Sequence, residues 1–231
     1  GGNVTGTARG LHKAGAEGVK VIGASVNLEG LHMASDRDFN LKSFTTGHTG
    51  FGVPFATWPD RSDVPRNAAR HLRYLERYVT VNQGEVFYIT EALAVLEGLE
   101  RGPAGNTALT AAFALAKEFD EDQYIVVQET EYTGAGKHHY AQLAFAKENG
   151  IQVETGDPET EVPGRSIVFP SHPDMIRARE VDLDPMRVSL IRNALKNRGI
   201  KPSDLTKDDL DFLAAEVSRD AAFVGNVLKS L

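Results

Sequence analysis

The fold is decided by the first stretch of the chain, GGNVTGTARGLHKAGAEGVKVIGASV at residues 1–26. A helical pattern starts near Thr5, and Gly15 is a natural C-terminal stop for it. Residues 19–26 are mostly apolar and β-branched, which predicts a strand buried on both faces. A helix, a short turn and a buried strand are the repeating elements of a parallel sheet flanked by helices. We therefore predict an α/β fold.

The opening glycines predict an anion site. Consecutive backbone N–H groups and the positive end of the helix point at one spot, where a phosphate is favoured. We expect the phosphate to be bound by the amides of Gly1, Gly2, Asn3, Val4 and Thr5, together with the Thr5 hydroxyl. Glycines at positions 2, 6 and 10 leave one helical face without side chains, which can lie tight against a sheet. Taken alone, the cluster favours a plain glycine-rich turn.

Composition excludes several classes of function. The 231 residues are 41% hydrophobic and 25% charged, which is ordinary for a globular protein with one large core. A net charge of −7 argues against nucleic acid or an anionic membrane as the main partner. The chain has no cysteine, so disulfides, thiolate metal sites and cysteine nucleophiles are excluded. No apolar run approaches membrane length, and we predict a cytoplasmic protein.

Further elements follow along the chain. Residues 78–81 and 124–127 are short apolar runs that predict strands, the second of them buried. Helical spacing at residues 85–100 places Ala92, Val95, Leu96 and Leu99 on one face. Residues 107–119 repeat that spacing with Leu109, Ala112, Phe113 and Ala116. Beyond residue 150 the composition changes, and we predict a first domain at residues 1–149 and a mainly helical C-terminal extension at residues 150–231. In this extension, Thr206 to Asp209 resembles a capping box at the start of a helix.

Two further motifs follow the opening glycines later in the chain. Residues 97–108, EGLERGPAGNTA, predict the end of one helix, a Gly-Pro turn and a second helix made of small residues. Residues 130–139, TEYTGAGKHH, directly follow the predicted strand at 124–127. Ligands of open α/β sheets bind just beyond the carboxyl ends of strands, so Thr133 offers a hydroxyl at such a position. Each motif alone fits a structural turn.

In this order and spacing, the three motifs resemble the carboxyl-terminal half of the fold type II pyridoxal-phosphate enzymes, the group of tryptophan synthase β and threonine synthase. The resemblance implies a three-layer parallel sheet flanked by helices, with residues 1–149 as the carboxyl-terminal half of the catalytic domain. It implies that the opening glycines hold the phosphate of pyridoxal 5′-phosphate. It also implies that Thr133, with Thr130 as a near competitor, hydrogen-bonds the pyridine nitrogen.

Longer strings narrow the resemblance to one family within this group. They are similar to the β subunits of thiolases that cleave 2-amino-4-oxopentanoate, at residues 3–10, 45–52, 56–63, 97–107 and 129–138. The resemblance covers residues 1–195, and the helices after about Lys201 match nothing in it. It implies cleavage of the amino-keto acid with coenzyme A to acetyl-CoA and alanine, in ornithine degradation. It also implies a small α subunit as partner and an oligomeric assembly.

One residue of the fold type is absent. The lysine that forms the Schiff base with the cofactor lies before the glycine turn in this group, and the resemblance implies that it precedes this chain. Lys13, Lys20, Lys42 and Lys137 do not occupy its position. We therefore expect the chain to be part of a longer enzyme and to be inactive by itself.

His48 is the candidate for substrate contact or proton transfer. It lies between Thr and Gly in a long loop, where active-site lids usually occur, and a structural histidine is an equally supported reading. Arg61 and Arg66 are candidates for binding a carboxylate or the coenzyme A phosphates, although such arginines more often lie on a solvated face. His138 and His139 have no metal-site spacing, and we predict no metal.

Two other functions remain open from the sequence. One is a threonine synthase-like or tryptophan synthase-like lyase that uses the same cofactor for β- or γ-replacement. The other is a non-catalytic phosphate-binding module that keeps only the glycine turn. The reaction products of the full-length protein would separate these possibilities from a thiolase.

Overall fold

The computed structural model describes residues 2–16, 18–29, 37–45, 72–129 and 138–231. The helices are α1 (Gly2–Lys13), α2 (Phe39–Lys42), α3 (Gln83–Glu97), α4 (Asn106–Leu115), α5 (His138–Glu148), α6 (Asp184–Arg198), α7 (Lys207–Val217) and α8 (Ala221–Lys229). The strands are β1 (Ile22–Val26), β2 (Arg77–Val81), β3 (Gln152–Gly156), β4 (Ser166–Pro170) and β5 (Arg179–Glu180). Single 3₁₀ turns lie at Ala116–Glu118, Pro158–Thr160, Pro173–Met175 and Pro202–Asp204.

The first helix and strand form where the sequence predicts them. Gly15 has a φ of +68°, and the amide of Ala16 donates to the carbonyl oxygen of Leu11 at 3.0 Å, which ends α1 in a left-handed cap. The strand β1 lies inside the predicted residues 19–26. The predicted α/β class is confirmed.

The chain divides into two compact units. Unit 1 comprises Gly1–Gly23, Pro54–Tyr78 and Val181–Leu231, and unit 2 comprises Ala24–Val53 and Val79–Glu180. The strands β3 and β4 therefore belong with the α3–α5 region rather than with the C-terminal helices. The predicted boundary between residues 149 and 150 stays a prediction about the domains of the longer protein.

Two small sheets are present among the described residues. One has the strand order β1-β2-β5, and β2 pairs antiparallel with β5 through Val79↔Glu180 and Thr80↔Arg179. The amide of Asn27 donates to the carbonyl oxygen of Val81 at 2.8 Å, just beyond the end of β1. The other sheet pairs β3 with β4 in parallel, from Gln152↔Ser166 to Gly156↔Pro170. The sequence did not predict β3, because its side chains are polar and mostly exposed.

The core of unit 2 joins α3, α5 and β4. Its buried residues are Phe44, Phe87, Ala146, Ile151 and Ile167. The helix α3 buries its first half, including Val86, Phe87 and Ile89, whereas Val95 is 81% and Leu96 is 77% exposed. The predicted helix is confirmed as Gln83–Glu97, and its partners β4 and α4 cover a different part of its surface from the face of Val95 and Leu96.

The predicted buried strand at residues 124–127 is also wrong for this structure. No strand is assigned there, and Tyr124 is 95% and Val126 is 92% exposed. An apolar run forms a strand only when another strand is available to pair with its backbone. Among the described residues, none provides that pairing.

The C-terminal helices of unit 1 have a core of their own. It is formed by Ile191, Leu195, Ala214, Val217, Val224 and Val227. The predicted capping box at the start of α7 is confirmed: the hydroxyl of Thr206 accepts from the amide of Asp209, and the Asp209 carboxylate accepts from the amide of Thr206.

Candidate functional site

The predicted phosphate turn lies at the start of α1. Gly1 is outside the described residues, and Gly2, Asn3, Val4 and Thr5 form the first turn of the helix rather than a separate loop. The first amides of a helix have no partner inside it, so this turn still offers free donors to an anion. Asn3 is exposed, and Val4 and Thr5 are half-buried.

The glycine face of α1 does not pack on a sheet among the described residues. A methyl group added at Gly6 or Gly10 would meet nothing within 4 Å. Together with Arg9 and Lys13, these glycines line an open groove of about 280 Å³. The expectation of a tight helix–sheet contact at this face is therefore wrong for this structure.

The other predicted site residues are distant in sequence from the start of α1. Thr133 and Thr130 fall within residues 130–137, and His48, Arg61 and Arg66 fall within residues 46–71; both ranges are outside the described residues. Their roles therefore stay predictions. What the structure describes are the segments that lead into these two ranges.

The segment that leads into the His48 range is held by Gln83. The side-chain oxygen of Gln83 accepts from the amides of Phe44 at 2.7 Å and Thr45 at 3.3 Å, and its amide nitrogen donates to the carbonyl oxygen of Lys42 at 2.8 Å. Gln83 and Thr45 are both buried, and the hydroxyl of Thr45 has no partner among the described residues. The start of the loop is thereby fixed by side-chain rather than strand hydrogen bonds.

A hydrogen bond between two buried side chains connects α3 with the corner at residues 97–108. Gly98 ends α3 with a φ of +65°, and α4 begins at Asn106, as the predicted helix–helix corner requires. The amide nitrogen of Asn106 donates to the hydroxyl of Thr90 at 3.0 Å, and Asn106 is fully buried. Its side-chain oxygen has no partner among the described residues.

The start of α5 carries a second buried polar group. His139 is 6% exposed, and its Nε2 atom has no partner among the described residues. Burial lowers the pKa of His139, and the nearby carboxylates Glu91 and Glu100 oppose this shift. His139 is therefore a neutral imidazole at neutral pH. The side-chain oxygen of Gln142, one turn further along α5, also has no partner among the described residues.

Sequence reasoning missed these buried polar residues. Asn106 was seen as part of a turn, and His139 was considered only as a metal ligand. Buried polar atoms without a partner are rare in folded proteins, and each costs about 1–3 kcal/mol unless a ligand or water satisfies it. The signal that could have found Asn106 is its position at a helix start after Gly and Pro, where a polar side chain is expected.

The start of α1, in unit 1, fits the phosphate of a cofactor, because it offers the free backbone amides that a phosphate needs. Unit 2 by itself contains buried polar atoms that have no partner among the described residues. No group of three or more His, Asp or Glu side chains in the described ranges could hold a metal ion. None of the helices described is long and apolar enough to cross a membrane.

Comparison with known proteins decides the family. Residues 1–131 match the family described as "Pyridoxal-phosphate dependent enzyme". The chain belongs to this family. The matched range contains the glycine turn and the corner at residues 97–108, and it ends two positions before Thr133.

Two curated relatives are similar over the entire chain. One, from an unknown prokaryotic organism, is 65% identical over 231 residues and is named "2-amino-4-ketopentanoate thiolase beta subunit". The other, from Acetoanaerobium sticklandii, has the same name and is 64% identical over 231 residues. The chain spans about half the length of these relatives, 48% and 49%. No solved structure matches it.

The similarity extends further than the sequence motifs indicated. The motifs predicted a resemblance that ends near residue 195, whereas both relatives align over all 231 residues. The helices α7 and α8 therefore have counterparts in these proteins.

Proposed function

We propose that this chain is the carboxyl-terminal portion of the β subunit of a pyridoxal-phosphate-dependent thiolase. The proposed reaction cleaves 2-amino-4-oxopentanoate with coenzyme A to acetyl-CoA and alanine. The observation that carries the proposal is the 64–65% identity, over every residue of the chain, to proteins named as that β subunit. Family membership supports the cofactor independently of those names.

Pyridoxal 5′-phosphate, when bound, draws electrons out of the bonds beside the substrate amine. In the proposal, the amides of Gly1, Gly2, Asn3, Val4 and Thr5 bind its phosphate. The hydroxyl of Thr133 hydrogen-bonds the pyridine nitrogen, which a hydroxyl can do without keeping that nitrogen protonated. His48 contacts the substrate or moves a proton at its imidazole. Free amides at the start of α1 and the fixed entry to the His48 loop support these assignments.

The proposal also covers partners and location. Coenzyme A is the co-substrate that removes the acyl group as a thioester. The word "beta" in the relatives' names supports a second subunit, which we propose is a small α subunit. We further propose an oligomeric assembly in the cytoplasm.

The finer architecture is part of the same proposal. In the longer protein, residues 1–149 complete a three-layer parallel sheet, and residues 150–231 form a mainly helical extension.

A product assay tests the function. Full-length β subunit that contains this chain, combined with its α subunit, is incubated with 2-amino-4-oxopentanoate and coenzyme A, and acetyl-CoA and alanine are quantified. Equal amounts of both products support the proposal. Turnover of a hydroxy or phosphorylated amino acid instead, without coenzyme A, would indicate a replacement lyase. Reversible cofactor binding without turnover of either kind would indicate a non-catalytic module.

Matched variants test the assignment of Thr133. Thr133→Ala should lower kcat and shift the absorbance of the bound cofactor, because the group beside the pyridine nitrogen changes. Thr130→Ala is the control, and it should leave both unchanged. The reverse pattern would move the role to Thr130. For His48, His48→Gln should lower kcat and alter its pH profile, and an unchanged profile would contradict the proton-transfer role.

A further inference from the structure

Five large apolar side chains are exposed on two helices of unit 2. They belong to Val95, Leu96 and Leu99, at and just beyond the end of α3, and to Tyr140 and Phe145 of α5, and they are called the apolar face below. Tyr140 is 64% and Phe145 is 52% exposed. Single exposed apolar residues are common on proteins, whereas a group of them in one region marks an interaction site.

One side of α3 leads from the core of unit 2 to the apolar face. Phe87, Glu91 and Val95 are four positions apart, so they follow one side of the helix. Phe87 packs with Ala146 of α5 in the core, and the carboxylate of Glu91 acts electrostatically on His139 at the start of α5. Val95 therefore continues, one turn further, the side of α3 that faces α5. The exposed residues of the two helices thus belong to one region of unit 2.

The outer side of α5 is apolar as well. Between residues 140 and 145 its exposed positions are Tyr140, Ala141, Ala144 and Phe145, and none of them is charged. They share one side of the helix, whereas Ala146 is fully buried in the core of unit 2. A helix at a protein surface normally presents polar side chains to water, and one that is apolar on both sides is typical of a covered position.

The curated relatives contain enough polypeptide to cover this region. They align with every residue of this chain, which spans 48% and 49% of their length, so about half of each relative lies outside the aligned region. Permanent contacts are more apolar than transient ones, and segments of one polypeptide meet without the entropy loss of association. An uncharged surface of this kind therefore fits a permanent contact within one polypeptide better than a transient partner.

We propose that, in the longer β subunit, the apolar face is covered by the part of the same polypeptide that lies outside these 231 residues. The inference rests on the proposal that this chain is a portion of such a subunit. The covering segment is aliphatic or aromatic where it meets Leu96 and Phe145. It approaches α5 most closely at Ala141 and Ala144, where the side chains are small.

Hydroxyl-radical labelling, quantified by mass spectrometry, tests whether the apolar face is covered. The longer β subunit is labelled without its α subunit, first folded and then unfolded in urea. Three phenylalanines form a matched set: Phe145 of the face, the fully buried Phe87, and Phe212 of α7, which is 59% exposed. Folding should suppress the labelling of Phe145 as strongly as that of Phe87, while Phe212 keeps most of its labelling. Suppression of Phe145 no stronger than that of an exposed side chain would overturn the proposal.

Site-specific photo-crosslinking identifies what covers the face. Benzoylphenylalanine is placed at Leu96 in the longer β subunit, and at Phe212 as the control. A cross-link from position 96 to a peptide of the same polypeptide outside these residues supports the proposal. A cross-linked β dimer would assign the face to a second copy, a cross-link that appears only with the α subunit would assign it to that subunit, and either result overturns the proposal, as does no cross-link.

Neither measurement depends on turnover, so the inference and the proposed function fail separately. A β subunit that forms acetyl-CoA and alanine but leaves Phe145 labelled would overturn the covered face alone. A β subunit that protects Phe145 and forms neither product would contradict the thiolase function alone.

Discussion

Arg187 donates from its Nε atom to the carbonyl oxygen of Val217 at 2.8 Å, which joins the start of α6 to the end of α7. Arg187 is 3% exposed, and its Nη1 atom also donates to Asp184 at 2.8 Å. Its removal leaves the carbonyl oxygen of Val217 without this donor, while Asp184 keeps its bonds from Arg219. We expect Arg187→Ala to lower the free energy of unfolding by about 2 kcal/mol in chemical denaturation. Arg198→Ala, at an exposed position in α6, should change it by less than about 0.5 kcal/mol. Equal losses in both variants would contradict this role.

Asp184, which pairs with Arg187, makes the stability of the fold depend on pH. Burial alone would raise the pKa of Asp184, but hydrogen bonds and charge from Arg219 and Arg187 outweigh it, and the pKa is lowered. A carboxylate with a lowered pKa stabilises the fold above its unfolded value of 3.8 and loses that contribution as the pH falls through its folded value. Acid unfolding monitored by circular dichroism should therefore be less steep below pH 4 in Asp184→Asn than in the wild type. Identical acid profiles would show that the ion pairs add no stability.

Gly84 lies where α3 meets β4. A methyl group added there would overlap the carbonyl oxygen of Val168. We expect Gly84→Ala to lower the free energy of unfolding by at least about 3 kcal/mol or to prevent folding, because backbone atoms would have to move. The matched control is Gly156→Ala, whose added methyl would lie at an ordinary 3.6 Å from Val168. That variant should cost less than about 1 kcal/mol. A mild effect at Gly84 would mean that the two elements are less closely packed than described.

Deletion of the Glu161 carboxylate should create a site for a small anion. In Glu161→Ala the amides of Gln83, Gly84 and Val168 lose their acceptor. Added formate should raise the melting temperature of this variant in a saturable way, because ligand that binds only the folded state stabilises it. Glu159→Ala is the control, since the Glu159 side chain pairs with Arg179 at 2.8 Å rather than with these amides. The same rise in the control or in the wild type would indicate a general salt effect.

Val126 and Val79 are two valines that differ in burial. Because Val126 is 92% exposed, Val126→Asp should change the free energy of unfolding by less than about 0.5 kcal/mol. Val79 is fully buried in β2, so Val79→Asp should destabilise by several kcal/mol, on the order expected for a charge placed in a core. Chemical denaturation of both variants measures the difference, and equal losses would contradict the exposure of Val126.

Local sequence signals predicted the elements whose stability is local. The glycine that ends α1 and the capping box of α7 depend on residues a few positions apart, and both are confirmed. The strands β1 and β2 were predicted because their runs are mostly apolar. The strand predicted at residues 124–127 was wrong, and the strand β3 and the covered face of α3 were not predicted, because all three depend on contacts with residues distant in sequence.

The same distinction between local signals and distant contacts applies to the candidate site. The helix start that offers amides was predicted from glycines, although the turn itself proved helical. The polar groups at Asn106 and His139 were not predicted, because their burial depends on how α3, α4 and α5 pack rather than on their own neighbours in sequence. The buried Glu85 and Gln83 were missed for the same reason. A charged or amide side chain is usually exposed, and only the packed structure shows otherwise.

The parallel pair of β3 and β4 is joined by residues 157–165 alone. Parallel strands usually need a connection of a dozen or more residues, most often a helix. This connection is short, so an inserted or deleted residue would shift the register between β3 and β4. It would also move Glu161 away from the amides of Gln83, Gly84 and Val168. We expect the length of this connection to be the same in related proteins, while its exposed side chains differ. Alignments of related sequences should therefore show substitutions but no gaps at residues 157–165.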